Sequence, residues 1–353
     1  MKVAVIGAGV HGVSAARFLA RAGHDVVLFE QFELGHSRGS SHGTSRIIRK
    51  TYDDPVYAEL MLEVFPLWEE LEEEAGEQLL VRCGLLVFGN PGDEWFRQAR
   101  SSLNRLRIPY EAMGPLDVAR RFGGFHLDYD EEAIFEPSAG YLKAERVLAA
   151  SLRVAQARGC QVRAGVRVEP SEEGVLGGES FDAVVVCAGA WVRRFVPLPA
   201  DVRLQHFAYY RTRLTGEQPV WVEAKDDHFY GFPDYGRGAK VGLHRYGPIV
   251  DPDEGPFPPA RETIAEITEV AKRRLGAEDE PTESFTCLYT VLPGEEFCFG
   301  RLPWRVPAYF ASACSGHGFK FGVWVGKQLQ RFVDEEAQPE DFDRFCWPAG
   351  EGG

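Results

Sequence analysis

Apolar residues fall along this chain in two rhythms. Val3 to Ile6 form a short unbroken apolar run, the pattern of a strand buried on both faces. Ala15, Ala16, Leu19 and Ala20 then recur at helical spacing, and Gly23 stops the helix. Val26 to Phe29 repeat the buried-strand pattern and end at Glu30. Residues 31–55 are rich in glycine, serine and histidine and predict a loop. Helical spacing resumes with Tyr57, Leu60, Met61, Val64, Trp68 and Leu71, and Pro66 inside it predicts a kink or split. A strand is expected from Cys83 to Phe88, then mixed helix and loop to about 136.

A second helix–strand unit follows. Glu145 to Arg158 places Val147, Leu148, Leu152 and Ala155 on one face; Gly159 ends it, and Gln161 to Val168 reads as a strand. Phe181 to Trp191 is a buried strand running into small residues. Residues 202–247 alternate strand-like runs with turns, and extended geometry puts Lys240, Gly242 and His244 on one face. Four prolines make 248–259 a loop, residues 260–275 an exposed helix, and Cys287 to Thr290 a strand. Ser315 to Gly322 open a last helix with Val325, Leu329 and Phe332 inward.

The punctuation between these elements carries chemistry. Gly7-Ala8-Gly9-Val10-His11-Gly12 is a G-x-G-x-x-G run set between strand and helix, with Glu30 ending the next strand. Gly7 and Gly9 permit a tight turn and close approach to a pyrophosphate, Gly12 permits close helix packing, and the helix N-terminus favours phosphate. Glu30 stands where a carboxylate accepts both ribose hydroxyls, which suits FAD or NAD better than NADP. Arg46 and Arg49, three apart, would share one side of a helix or turn. The Gly316-His317-Gly318-Phe319-Lys320 stretch before the last helix is another turn suited to an anion.

Composition narrows the function classes. With 353 residues, 44% of them hydrophobic and 26% charged, the chain reads as a globular protein of two domains. A formal net charge of -14, from 39 basic and 53 acidic residues, argues against a nucleic-acid partner. Cys83, Cys160, Cys187, Cys287, Cys298, Cys314 and Cys346 are scattered without a C-x-x-C pair, as reduced thiols of the cytoplasm would be. No apolar run approaches membrane-spanning length, and no signal segment is legible. The expected chain is cytoplasmic, with no membrane and no metal.

Five segments in fixed order carry a resemblance. They are Gly7 to Gly12 with Glu30; Ser41 to Arg49; Tyr230 to Pro233 with Lys240 and His244; Cys287 to Thr290; and Ser315 to Phe321. Together they make the chain similar to monomeric sarcosine oxidase and to the N-methyltryptophan and pipecolate oxidases, within the D-amino-acid-oxidase-like FAD enzymes. The resemblance implies an α/β fold: a Rossmann-like FAD domain (1–82, 138–200 and 288–353) with an inserted α+β substrate domain on an antiparallel sheet (83–137 and 201–287). It implies FAD bound covalently through Cys287. Arg49 and Lys320 match the pair that holds the substrate carboxylate. Arg46 matches the arginine beside the flavin ring and Lys240 the lysine linked to oxygen activation. Tyr230, His244 and Tyr289 match pocket residues, and His317 a residue close to the flavin. Cofactor contacts extend to Val10, His11, Ser41, Thr44, Val168, Gly189, Gly316, Gly318, Phe319 and Lys320.

The implied reaction oxidises the C–N bond of a secondary amino acid, N-methyl or cyclic, such as sarcosine. Dioxygen is the acceptor, imine or aldehyde and hydrogen peroxide are the products, and the enzyme works as a monomer. A flavin dehydrogenase, a cyclic-imine amino acid oxidase and a non-catalytic FAD-binding subunit are the alternatives. Two departures from the family pattern bear on substrate: Thr44 replaces the usual acidic residue beside the arginine, and Cys314 a bulky apolar one.

Overall fold

The computed structural model describes residues 1–214, 217–225 and 228–347. Two large sheets face a common cavity. The first has six strands in the order Cys298–Arg301, Ala308–Ser312, Ala183–Val186, Lys2–Ile6, Asp25–Glu30, Gln161–Ala164. All its pairings are parallel except the edge pair Cys298–Arg301 with Ala308–Ser312. A parallel sheet needs cover on both faces, which is why its strands are unbroken apolar runs. One cover is a layer of three helices, Val10–Arg21 flanked by Ala144–Ala157 and Gly322–Val333, packed over a core that includes Val3, Val5, Leu19, Val185 and Leu329.

The first helix starts hard against the first strand. A Cβ on Gly12 would lie 1.7 Å from the Gly7 carbonyl oxygen, so no side chain fits there. Arg17 of this helix is fully buried and answers two carboxylates of the long helix Pro55–Ala75: Nη2 to Glu70 at 2.7 Å and Nε to Glu74 at 2.8 Å. The long helix runs as one element through Pro66, without the expected split. Asp54 caps its N-terminus by accepting from the Val56 N–H.

The second sheet has eight strands in the order Glu283–Val291, Asp201–Tyr210, Ala239–Leu243, Phe229–Phe232, Val220–Glu223, Leu85–Gly89, Glu132–Glu136, Glu111–Met113. Its pairs are antiparallel, save Val220–Glu223 with Leu85–Gly89. Helix Arg261–Leu275 covers its outer face. That helix is not simply exposed: Ile267, Val270, Ala271 and Leu275 are core residues, and buried Arg274 is paired with Glu131 and Glu223. The expected border between 287 and 288 falls inside strand Glu283–Val291, all of which belongs to this sheet.

Several expectations need correcting. Residues 31–55 are not all loop: Ser45–Ile48 is a strand, paired with Gly140–Lys143 in a small sheet completed by Leu80–Val81. Arg46 therefore sits on a strand and not on a helix or turn. Strand 83–88 lies at Leu85–Gly89, leaving Cys83 outside; 161–168 ends at Ala164; and 181–191 is confined to Ala183–Val186. The region to 136, read as helix and loop, supplies two strands of the large sheet.

Candidate active site

A cavity of about 790 Å³ runs between the two sheets, from Glu30 and Val168 past the glycine turn to Cys287, Lys240 and Lys320. At the first end the Glu30 carboxylate accepts the Ala8 N–H at 2.9 Å and the Phe32 N–H at 3.0 Å, with His36 Nε2 3.4 Å away. Burial would push this carboxyl up; the hydrogen bonds from His36, Ala8 and Phe32 outweigh it and hold it below the usual carboxylate range. Ser41 Oγ accepts the Val10 N–H at 3.1 Å at the head of the first helix. Burial pushes the His11 imidazole down to about 4, against a hydrogen bond to the Gly318 backbone, so the ring is neutral. Val168 and Gly189 line the same end, beside Trp191.

At the other end, strand register aims the side chains. Cys287 and Tyr289 are two apart on one strand and share a face; Gln205 and Arg203 are their partners across the ladder. Tyr209 faces Lys240, and Tyr230 faces Gly242, whose missing side chain leaves room for the Tyr230 ring. Lys240 is buried between the rings of Phe207 (4.2 Å) and Phe232 (4.9 Å), with Nζ 3.4 Å from the Ser45 carbonyl. Burial, then the neighbouring Arg46, drives its ammonium well below the ordinary lysine range. Arg46 is clamped by three backbone carbonyls: Ser45 at 2.8 Å, Ser40 at 2.6 Å and His42 at 2.7 Å. Its guanidinium lies over the Phe319 ring at 5.4 Å. The Cys287 thiol is raised by burial, which Arg46 and Lys240 oppose.

Lys320 lies in a short 3-10 turn, Gly318–Phe321, that opens the last helix. The turn is tight: a Cβ on Gly318 would lie 1.6 Å from the Ala313 carbonyl oxygen. Lys320 Nζ donates to the Tyr52 hydroxyl and to the His317 carbonyl, both at 2.9 Å. Burial and then Arg49 lower its ammonium far below the lysine range. The Arg49 guanidinium stacks over Tyr52 at 4.7 Å and Trp95 at 5.7 Å, and its buried Nη1 has no hydrogen-bond partner among the described residues. His317 stacks on Phe297 at 4.9 Å, and burial lowers it well below the usual imidazole range. His244 is pushed to about 3 by burial and then by His228, Arg49 and Lys320, and its ring lies 5.5 Å from Tyr289.

The structure thus brings Gly7, Gly9, Val10, His11, Glu30, Ser41, Arg46, Arg49, Val168, Gly189, Tyr230, Lys240, His244, Cys287, Tyr289, Gly316, His317, Gly318, Phe319 and Lys320 to one wall-lined space. Two expected residues are elsewhere. Gly12 lies behind the turn, where it serves packing. Thr44, the residue before strand Ser45–Ile48, is off the wall; its hydroxyl lies 2.9 Å from those of both Tyr209 and Tyr235. Among the wall residues given no role from the sequence are Tyr52, Trp95 and His42. Tyr52 stands only three residues past Arg49, in the same segment. His42 lies inside the Ser41 to Arg49 segment; burial, then Arg46 and Lys240, bring it to about 3. Nothing in the pattern around Trp95 marks it.

These residues fit FAD. A glycine turn that admits no Cβ at Gly7 or Gly12, a carboxylate at the end of the second strand, and an unpartnered buried His42 Nε2 at the cationic end match a dinucleotide carrying a polar ring. Fold and site define a dinucleotide-dependent oxidoreductase. The chain belongs to the DAO family of FAD-dependent oxidoreductases, whose model matches residues 2–331. It is 33% identical over 351 residues to the peroxisomal sarcosine oxidase of Homo sapiens, covering 92% of this chain and 90% of that protein. Against the monomeric sarcosine oxidase of Bacillus sp. (strain NS-129) the identity is 30% over 370 residues, covering 97% and 95%. The open form of NikD, described as an unusual amino acid oxidase essential for nikkomycin biosynthesis, superposes with a TM-score of 0.84 over 98% of this chain and 96% of that one; at 24% identity it supports the fold. Among the described residues no helix is long and apolar enough to cross a membrane, and no group of three or more His, Cys, Asp or Glu could hold a metal.

Proposed function

We propose that this enzyme oxidises the C–N bond of a secondary amino acid, N-methyl or cyclic, with dioxygen as acceptor and imine or aldehyde plus hydrogen peroxide as products. The observation that carries the reading is the pair Arg49 and Lys320 at one end of the cavity: Lys320 is buried, and half-buried Arg49 holds a buried, unpartnered Nη1. A buried guanidinium N–H without an acceptor is costly, and a substrate carboxylate would answer it. Bound FAD supplies a two-electron acceptor for the hydrogen on the carbon next to nitrogen.

The chain's own residues do the rest. Arg49 and Lys320 bind the carboxylate. Tyr230, His244 and Tyr289 wall the amine, and both lowered histidines, His244 and His317, are neutral there. Arg46, Arg49, Lys240 and Lys320 together disfavour an ammonium ion, so the amine enters as free base. Lys240, wedged between two phenyl rings, offers its N–H to the negative charge that develops on dioxygen. Cys287, on the wall beside Arg46 and Lys240, is the covalent attachment point for FAD. The FAD domain comprises 1–82, 138–200 and 292–347, and the substrate domain 83–137 and 201–291, the last border moved to the end of strand Glu283–Val291. The protein works as a cytoplasmic monomer, which its unpaired cysteines suit.

The test is acid precipitation of purified protein followed by oxygen uptake with sarcosine and pipecolate. Yellow colour stays in the pellet, leaves it in Cys287→Ser, and peroxide forms in step with oxygen consumed. Colour released from wild type removes the covalent link. Flavin reduction without oxygen uptake makes the enzyme a dehydrogenase.

A further inference from the structure

The side chains assigned to the substrate carboxylate converge on a residue to which no role has been given. Tyr52 lies just past strand Ser45–Ile48 and is 4% exposed. Its hydroxyl is 2.9 Å from Lys320 Nζ and 3.4 Å from His317 Nδ1, and its ring lies under the Arg49 guanidinium at 4.7 Å. The far nitrogen of His317, Nε2, is 3.3 Å from the Glu295 carbonyl.

One assignment of hydrogens satisfies all three contacts. The Glu295 carbonyl can only accept, so His317 Nε2 carries the hydrogen. A neutral imidazole then leaves Nδ1 as an acceptor, which takes the Tyr52 O–H. The Tyr52 oxygen in turn accepts from Lys320 Nζ, which also donates to the His317 carbonyl. An ammonium has three hydrogens, so one remains for a ligand in the cavity. The chain of donors runs one way, from Lys320 through Tyr52 and His317 to Glu295.

We propose that Tyr52 is a positioning residue for substrate capture: its hydroxyl fixes the donor direction of Lys320 and the tautomer of His317, and its ring fixes the plane of Arg49. This rests on Arg49 and Lys320 being the carboxylate anchors. Arg49, Asp53 and Glu136 supply the charges around Tyr52, with His317 and Lys320 bonded to it; Arg49, His317 and His244 face Lys320. Removing the hydroxyl takes an acceptor from the ammonium and leaves the repulsion of Arg49. Lys320 then loses its proton at lower pH, and carboxylate binding fades at lower pH with it.

The experiment uses the FAD-loaded enzyme, acetate as the probe, and the flavin absorbance change as the signal. Tyr52→Phe keeps the ring over Arg49 and so keeps the packing. Its acetate Kd rises about tenfold, the scale of a hydrogen bond to a charged group, and the pH at which binding fades moves down. In enzyme labelled with 15N-histidine, the His317 signal, assigned with His317→Gln, shifts in Tyr52→Phe because Nδ1 has lost its donor. Wild-type acetate affinity and pH profile in Tyr52→Phe overturn the proposal; so does an unmoved His317 signal. Wild-type enzyme that binds no acetate, with the His317 signal still moved by Tyr52→Phe, removes the anchor reading and supports the hold of Tyr52 on His317.

Discussion

At the glycine-turn end of the cavity the groups facing a ligand are backbone N–H donors and the Glu30 carboxylate; at the far end they are two arginines and two lysines with neutral imidazoles and phenols among them. The first end is built mainly on one strand–helix–strand unit, with Gly12 pressed on the Gly7 carbonyl and Ser41 bonded to the Val10 N–H. The second is held by side chains from separate strands and turns, with Arg46 pinned by three carbonyls and Lys240 by two rings. Backbone donors lose little by waiting for a ligand. Buried ammonium groups do lose by it, since burial and each other's charge depress Lys240 and Lys320. The nucleotide end is thus shaped for fold and ligand alike, whereas the far end gives up stability to bind an anion.

Substitutions at the two ends sharpen this difference. Gly12→Ala has the largest effect: a Cβ 1.7 Å from a backbone oxygen forces the helix off the strand. The expected outcome is little or no soluble yellow protein, and a folded variant with wild-type flavin content would break the comparison at its first term. Lys320→Met comes next. Carboxylate affinity falls about a hundredfold, the scale of removing one partner from a buried charged contact. Yet the melting temperature of the ligand-free protein holds or rises, because a buried ammonium is gone. The sign with pH follows: a lysine whose folded value is lowered costs stability as pH falls below its unfolded value, so the variant's advantage grows from alkaline to neutral pH. A lower melting temperature would show that Lys320 supports the fold. Glu30→Gln has the smallest effect. Measured in a Cys287→Ser background, FAD affinity falls about tenfold, since the amide keeps the acceptor for Ala8 or Phe32 and loses the charge.

The same contrast explains what could be read from the chain. The first thirty residues hold their own explanation: apolar runs, glycines and a terminal acid lie in order, and the structure places them as expected. Strand Ser45–Ile48 was hidden because its glycine- and serine-rich approach looks like loop and its partner, Gly140–Lys143, lies far along the chain. Arg46, Arg49, Lys240 and Lys320 are legible through motifs, yet their convergence on one cavity, with both lysines buried, is a property of the assembled sheets. Tyr52 and Trp95 were missed because each is an ordinary aromatic in sequence, and only the Arg49 guanidinium lying over both gives them a shared purpose.

The order of the six-stranded sheet has a consequence for how the protein comes into being. Strand Lys2–Ile6 is flanked on one side by Ala183–Val186, which in turn rests on Ala308–Ser312. Chain elongation delivers the glycine turn first, and the strands that form its floor much later. Until then the early strands offer unpaired edges and bare apolar faces, a hazard that slow, long-range pairing prolongs. Flavin capture therefore waits on a strand as late in the chain as Ala308–Ser312.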